Sequence, residues 1–279
     1  MSKKSKIKAW SKQLQKKPLD ANLHLDFSFF ALKIGLPFLA LAELKTAQFL
    51  VLHINDHKSH QNAIEGALPN LIDMNHNQFF RFYSLKNEII SQTNGQDSTI
   101  LDVGGGHGEL SAFLPNYQYC LAEPAVNGIT GHQLPFEDES FDWVVSCHVL
   151  EHIPSAEREN FLDQLLSKSK NGVILLNPFS VAHLKSDEFH QLAIDITGAG
   201  WAIEHKECGL PLVKDIEEYA KKKDLNVSVQ PNGNAATTTA LVFLDHFAGK
   251  AKRKNDWIKV NRFINENYSQ PSHRDALLN

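Results

Sequence analysis

The run Ile100-Leu101-Asp102-Val103-Gly104-Gly105-Gly106-His107-Gly108-Glu109-Leu110 constrains this chain more than any other feature. An apolar stretch enters a glycine turn and leaves it on the helical pattern Leu110, Phe113, Leu114. Glycines let a backbone turn sharply and approach a ligand closely. The start of a helix adds unpaired N–H groups and positive potential. A dinucleotide site uses G-x-G-x-x-G for its pyrophosphate. Counted from Gly104 and Gly106, the third position of that pattern is Glu109, which does not permit the close approach. The spacing is instead that of Asp102, Gly104, Gly106 and Gly108. Further on, Tyr119-Cys120-Leu121-Ala122-Glu123 reads as a strand with an acid at its tip, 21 positions after Asp102. An acid there can accept both hydroxyls of a ribose. That role suits an NAD site equally, so Glu123 alone does not discriminate.

Three regions surround this core signal. Residues 1–68 read as a helical extension. Pro18-Leu19-Asp20 is a start signal, Leu25, Phe29, Phe30 and Ile34 share a face, and Gly35 with Pro37 marks a turn. Gly35, Ala40, Leu44 and Ala47 resemble one tetratricopeptide hairpin, a unit that needs neighbours to be stable alone. Residues 69–250 form the main domain. A helix carrying Phe79, Phe80, Phe82, Tyr83, Leu85, Ile89 and Ile90 precedes the first strand. Strands are then expected at 99–102, 118–123, 143–147, 173–177, 227–230 and 239–247, with helices around Phe161–Leu166 and Ile216–Ala220. Strand–helix alternation predicts an α/β fold with a doubly wound, mostly parallel sheet. The last two strands, joined by Pro231-Asn232-Gly233-Asn234, are expected as an antiparallel hairpin. Residues 251–279 are a polar, helix-compatible tail.

Beyond the glycine loop, Leu134-Pro135-Phe136-Glu137-Asp138-Glu139-Ser140-Phe141-Asp142 follows at a telling distance. Together with D-x-G-x-G-x-G and Glu123, it resembles class I S-adenosylmethionine-dependent methyltransferases. The resemblance covers about residues 75–250 and implies a seven-stranded-type sheet. It also implies S-adenosylmethionine as cofactor, bound through Asp102, Gly104, Gly106, Gly108, Glu123, Gln133, Leu134 and Cys147. Many members have an acid near the adenine, where this chain has Thr130, His132 and Gln133. Only ten residues separate Glu123 from Leu134, too few for a full crossover between parallel strands. The helix after the second strand is therefore expected to shrink to about one turn, the third strand to be very short, and the adenine side to be open.

His148-Val149-Leu150-Glu151-His152 matches H-x-x-E-H. On a helix that spacing puts two imidazoles on one face, able to hold zinc with the glutamate as base. Its position directly after the 143–147 strand matches instead the LEH stretch of the resembled family, and no third ligand stands at a helpful spacing. No metal is expected. Ligands of open α/β sheets sit beyond the strands' carboxyl ends. The segment through His183, Glu188, His190, Trp201, Glu204 and His205 to Gly209-Leu210-Pro211 is read as a lid or acceptor wall. His148, Glu204 and His205 are the candidate general bases.

Net charge of −4 gives no strong nucleic-acid signal, although seven lysines and no acid lie between Met1 and Lys17. That start reads as a solvated, partly frayed terminus. The apolar run 27–42 is broken by Lys33 and Pro37, so no membrane span is expected. Three well-separated cysteines suit a reducing cytoplasm. The reading is a methyltransferase acting on a small molecule or on a glycan or lipid precursor. The alternative is a non-catalytic S-adenosylmethionine-binding scaffold whose helical hairpin recruits a protein partner.

Overall fold

The computed structural model describes residues 3–51, 57–180, 186–233 and 235–268. They divide into two compact units. The first comprises the described residues of Met1–Pro69, Leu85–Cys147 and Asn160–Leu176. The second comprises those of Asn70–Ser84, His148–Glu159 and Asn177–Asn279.

The first unit opens with helices α1 (Lys3–Leu14), α2 (Ala21–Lys33), α3 (Pro37–Leu50) and α4 (Lys58–Ala67). Helix α5 (His76–Thr93) begins in the second unit and ends in the first. Strand β1 (Thr99–Val103), the short helix α6 (Leu110–Phe113), β2 (Gln118–Ala122) and β3 (Phe141–Cys147) follow. Helix α7 (Arg158–Lys168) then leads to β4 (Ser169–Leu176). The four strands are parallel, in the order β2-β1-β3-β4. In this register Asp102 lies opposite both Leu121 and Val145. Ile100, Leu101, Val103, Tyr119, Cys120, Leu121, Val144 and Val145 are all buried. Near-continuous apolar runs of this kind are what strands covered on both faces require.

The N-terminal helices are part of this core. The side chain of Asp20 accepts from the Leu23 amide and caps α2. Trp10 of α1 stacks on Phe27 at 5.4 Å between ring centroids. The lysine-rich start is therefore an ordered helix from Lys3, anchored by Ile7, Trp10 and Leu14, rather than a frayed terminus. Helix α3 packs on β2 with Leu39, Ala40, Ala42, Leu44 and Ala47 buried. Its Thr46 hydroxyl accepts from the Leu121 amide at 3.0 Å, so a side chain satisfies the outer edge of β2. Much of the 27–42 apolar run is thus spent in the core. No helix among the described residues is long and apolar enough to cross a membrane.

The second unit contains the 3-10 turns Leu71–Asp73, Leu150–His152 and Ser155–Glu157. Its helices are α8 (Ser186–Thr197), α9 (Gly200–Cys208), α10 (Val213–Lys222), α11 (Ala235–Lys250) and α12 (Lys254–Tyr268). Arg262 of α12 forks onto both carboxylate oxygens of Asp73 at 2.6 and 2.7 Å. The His76 amide donates to Asn261 Oδ1.

Three expectations about the sheet are corrected. The expected hairpin is absent, because residues 239–247 lie inside α11 and 227–230 are exposed coil. A short run rich in Thr, Val and Phe fits either period. Helical winding puts Thr239, Val242, Phe243 and His246 on one face, and Phe243 meets Phe189 of α8 ring to ring at 6.5 Å. Four strands, not seven, are present among the described residues. Between Glu123 and Leu134 the expected short strand is replaced by a turn, in which only an isolated antiparallel bridge joins Thr130 and Gln133.

Candidate active site

Within the first unit, the glycine loop leaves β1 and at once closes on β2, with the Gly104 amide donating to the Ala122 carbonyl at 2.8 Å. At Gly106, φ is +59°, and a side chain there would meet nothing closer than Glu109 Oε2 at 3.7 Å. That face of the loop is open. Gly108 differs. Its φ is +75°, and a Cβ would collide with the Cβ of Ala42 on α3. The absence of a side chain at Gly108 is demanded by helix packing from the N-terminal extension.

Three acids converge on this loop. Asp102 is 1% exposed, and its Oδ2 accepts from the Tyr119 hydroxyl at 2.6 Å. Its Oδ1 is buried and accepts no hydrogen bond. Burial pushes its carboxyl up to about 7, and Glu109 and Glu123 push in the same direction. Glu123 accepts from the Gly106 amide at 3.1 Å and from the Ala125 amide at 2.9 Å. Glu109 accepts from the His107 amide at 3.1 Å, and burial raises its carboxyl as well. Two of the loop's amides are thus taken by carboxylates.

The 123–128 turn is fixed from below by a buried network that sequence reasoning missed. Asn127 Oδ1 accepts from the Glu123 amide at 2.9 Å. Its Nδ2 donates to the Leu121 carbonyl at 2.7 Å and to Glu43 Oε1 of α3 at 3.2 Å. Glu43, fully buried, pairs through Oε2 with His24 Nδ1 of α2 at 2.5 Å. That imidazole is raised above its usual range: burial opposes protonation, and Glu43 outweighs it. The Ser11 hydroxyl of α1 donates to the Pro124 carbonyl at 3.1 Å. A buried acid and histidine in otherwise apolar helices were the available sequence signal.

On the expected adenine side, Leu134 is buried, and its amide donates to Gln164 Oε1 of α7 at 3.1 Å. Gln133 and His132 are exposed, with the His132 ring 6.0 Å from that of Phe161. Cys147 ends β3 opposite Leu176.

The candidate bases lie in the second unit. His148 follows Cys147 in the chain with φ of +56°, an uncommon conformation for a non-glycine residue. Its Nδ1 stands 2.9 Å from Glu151 Oε1. Burial lowers its basicity, helped by Arg81, against the opposing pull of Glu151. Glu204 is 61% exposed and lies 2.8 Å from His152 Nδ1. His205 is 7% exposed, and burial drives its imidazole down to about 4. A base that weak is poorly matched to accepting a proton near neutral pH. The structure groups His205 with His152, His190 and Trp201, at ring separations of 4.8 to 5.3 Å. His183 lies outside the described residues.

Comparison with known proteins fits this arrangement. A family model described as a methyltransferase domain matches residues 74–229, more than half of the chain. The chain belongs to that family, and S-adenosylmethionine is the cofactor that goes with it. No curated protein matches it. Among solved structures, a putative methyltransferase from Bacillus halodurans is 18% identical, over 50% of this chain and 63% of its own, with a TM-score of 0.37. The YcgJ protein of Bacillus subtilis is 14% identical, over 70% of this chain and 88% of its own, at 0.40. The phosphoethanolamine N-methyltransferase 2 of Haemonchus contortus, solved with phosphomonomethylethanolamine and S-adenosylhomocysteine, is 15% identical, over 70% and 50%, at 0.41. Likenesses this distant carry no argument about the reaction, and the chain spans less than two thirds of the first of them.

Proposed function

We propose that this chain is an S-adenosylmethionine-dependent methyltransferase whose donor site is the Asp102–Gly108 loop with Glu123 and the turn at 132–134. The observation that carries the reading is the convergence of Asp102, Glu109 and Glu123 on a loop whose Gly106 and His107 amides already bind carboxylates. A pyrophosphate would face those charges, whereas the sulfonium and ammonium groups of S-adenosylmethionine are attracted by them. The residues present fit the group. The orphaned Asp102 Oδ1 and the open face at Gly106 are both compatible with a close cationic ligand. A carboxylate has about four lone-pair sites. Glu123 uses one on each oxygen for backbone amides, which fixes its orientation and leaves the others for two ribose hydroxyls.

When bound, the cofactor supplies an activated methyl group on a sulfonium, transferred by in-line displacement. The chain's task is then to align an acceptor, and proximity supplies much of the rate. His148 is the remaining candidate base for an acceptor that must lose a proton, since Glu204 is exposed and His205 is too weak. The acceptor is proposed to be a small molecule. The partner-recruiting alternative loses support because Ala40, Leu44 and Ala47 of the hairpin are buried in the core.

Calorimetric titration with S-adenosylhomocysteine and with NAD tests the donor site. Binding of the first alone is expected, and binding of NAD alone refutes the reading. Incubation with labelled S-adenosylmethionine and a small-molecule extract then tests catalysis. Binding without any labelled product supports the scaffold instead.

A further inference from the structure

The H-x-x-E-H run has no third ligand at a helpful spacing in the sequence, but the fold brings one beside it. We propose that Glu151, His152 and His205 form a binding site for a divalent transition metal of the zinc class.

Glu151 and His152 share the 3-10 turn Leu150–His152, and His205 comes from α9. One donor atom from each lies within 4.8 Å of the others. The carboxylate of Glu151 is fully buried, with side-chain exposure of 0%. Its Oε2 accepts from Asn177 Nδ2 at 2.6 Å. Its Oε1 is aimed among imidazoles, 2.9 Å from His148 Nδ1 and 3.9 Å from His205 Nε2, yet accepts no hydrogen bond of proper direction. His152 Nδ1 is likewise buried without a well-directed partner, although Glu204 Oε2 is 2.8 Å away. A buried carboxylate oxygen left unsatisfied is costly unless a cation or donor completes it.

The surroundings are those of metal ligands. A ligating histidine usually uses its second ring nitrogen to fix its orientation. His205 Nδ1 meets His190 Nε2 at 3.1 Å, which turns Nε2 toward Glu151 when Nδ1 carries the proton. Asn177 orients the carboxylate in the same way. Two nitrogens and one oxygen suit zinc better than magnesium or calcium, which take oxygen. Zinc bonds of about 2.0–2.1 Å put tetrahedral donors about 3.4 Å apart. Closing the observed cluster onto an ion therefore takes a side-chain shift on the order of 1 Å, from the ligand bond lengths. Three protein donors leave a fourth position for water.

The test uses the full chain, stripped with a chelator and titrated with Zn²⁺ alone and with Mg²⁺ alone, with Co²⁺ substitution as a spectroscopic probe. One zinc per chain, weak or absent magnesium binding and tetrahedral cobalt absorption are expected. Glu151→Gln and His205→Gln should each weaken zinc at least tenfold, while His57→Asn leaves it unchanged. Circular dichroism of each variant confirms folding. If Glu151→Gln does not fold, His205→Gln and the cobalt spectrum of the unsubstituted chain decide. No stoichiometric zinc, or zinc binding insensitive to these substitutions, overturns the proposal. Titration with S-adenosylhomocysteine in the same samples keeps that outcome separate from the methyltransferase reading.

Discussion

Gly108→Ala separates two roles for one glycine. If the residue serves only the cofactor, the substitution lowers affinity and spares stability. The structure predicts otherwise. A non-glycine residue at φ of +75° costs about 1–2 kcal/mol. The new methyl also collides with the Ala42 Cβ, and overpacking of this kind costs about 1–3 kcal/mol. Together the loss is about 2–5 kcal/mol. Ala42→Gly alone should cost about 1 kcal/mol, from helix propensity. In the double variant the collision is relieved and only the backbone terms remain, about 2–3 kcal/mol. The predicted coupling is therefore about 1–3 kcal/mol in the rescuing direction. Urea denaturation followed by fluorescence and by circular dichroism measures it, with coincident transitions checking two-state behaviour. Strict additivity of the two substitutions would refute the packing of α3 on the loop.

Other expectations concern the acids and the network beneath them. Glu123→Ala should weaken S-adenosylhomocysteine by about 1–3 kcal/mol, and calorimetry with unchanged affinity would move the ribose elsewhere. Asn127→Ala strands the Glu123 amide, the Leu121 carbonyl and Glu43, so denaturation should show a loss of about 2–4 kcal/mol. Ligand affinity should fall with it, because Glu123 loses its anchor, and an unaffected affinity would argue against that coupling. Asp102 is raised from 3.8 to about 7 in the folded state, so between those values the folded chain holds a proton that the unfolded chain has released. Its contribution is full below about pH 4 and is lost as pH rises through 7. From pH 5 to 8 stability should fall by about 2–3 kcal/mol more in the parent than in Asp102→Asn. Equal slopes in the two chains would show that Asp102 titrates normally.

Much of the first unit was legible in the sequence. The four parallel strands announced themselves through continuous apolar runs, and the glycine loop through its spacing. These signals are local: strand period, glycine chemistry and an acid at a strand tip act within a few residues. Helix α5 and the Asp20 cap of α2 were readable for the same reason. Residues 239–247 of α11 carry several strand-forming side chains, and their packing beside α8 and α12 accompanies the helical state.

The sequence by itself therefore determined the glycine loop from Asp102 to Gly108 and the acid Glu123 at the tip of the next strand. Tertiary structure decided what surrounds them. Ala42 faces Gly108, Glu43 reaches Asn127, and His205 comes beside Glu151 across long stretches of chain. No local rule encodes such meetings, since each depends on where an entire helix docks. Helix docking is set by the sum of many small apolar contacts, and only the folded chain evaluates that sum.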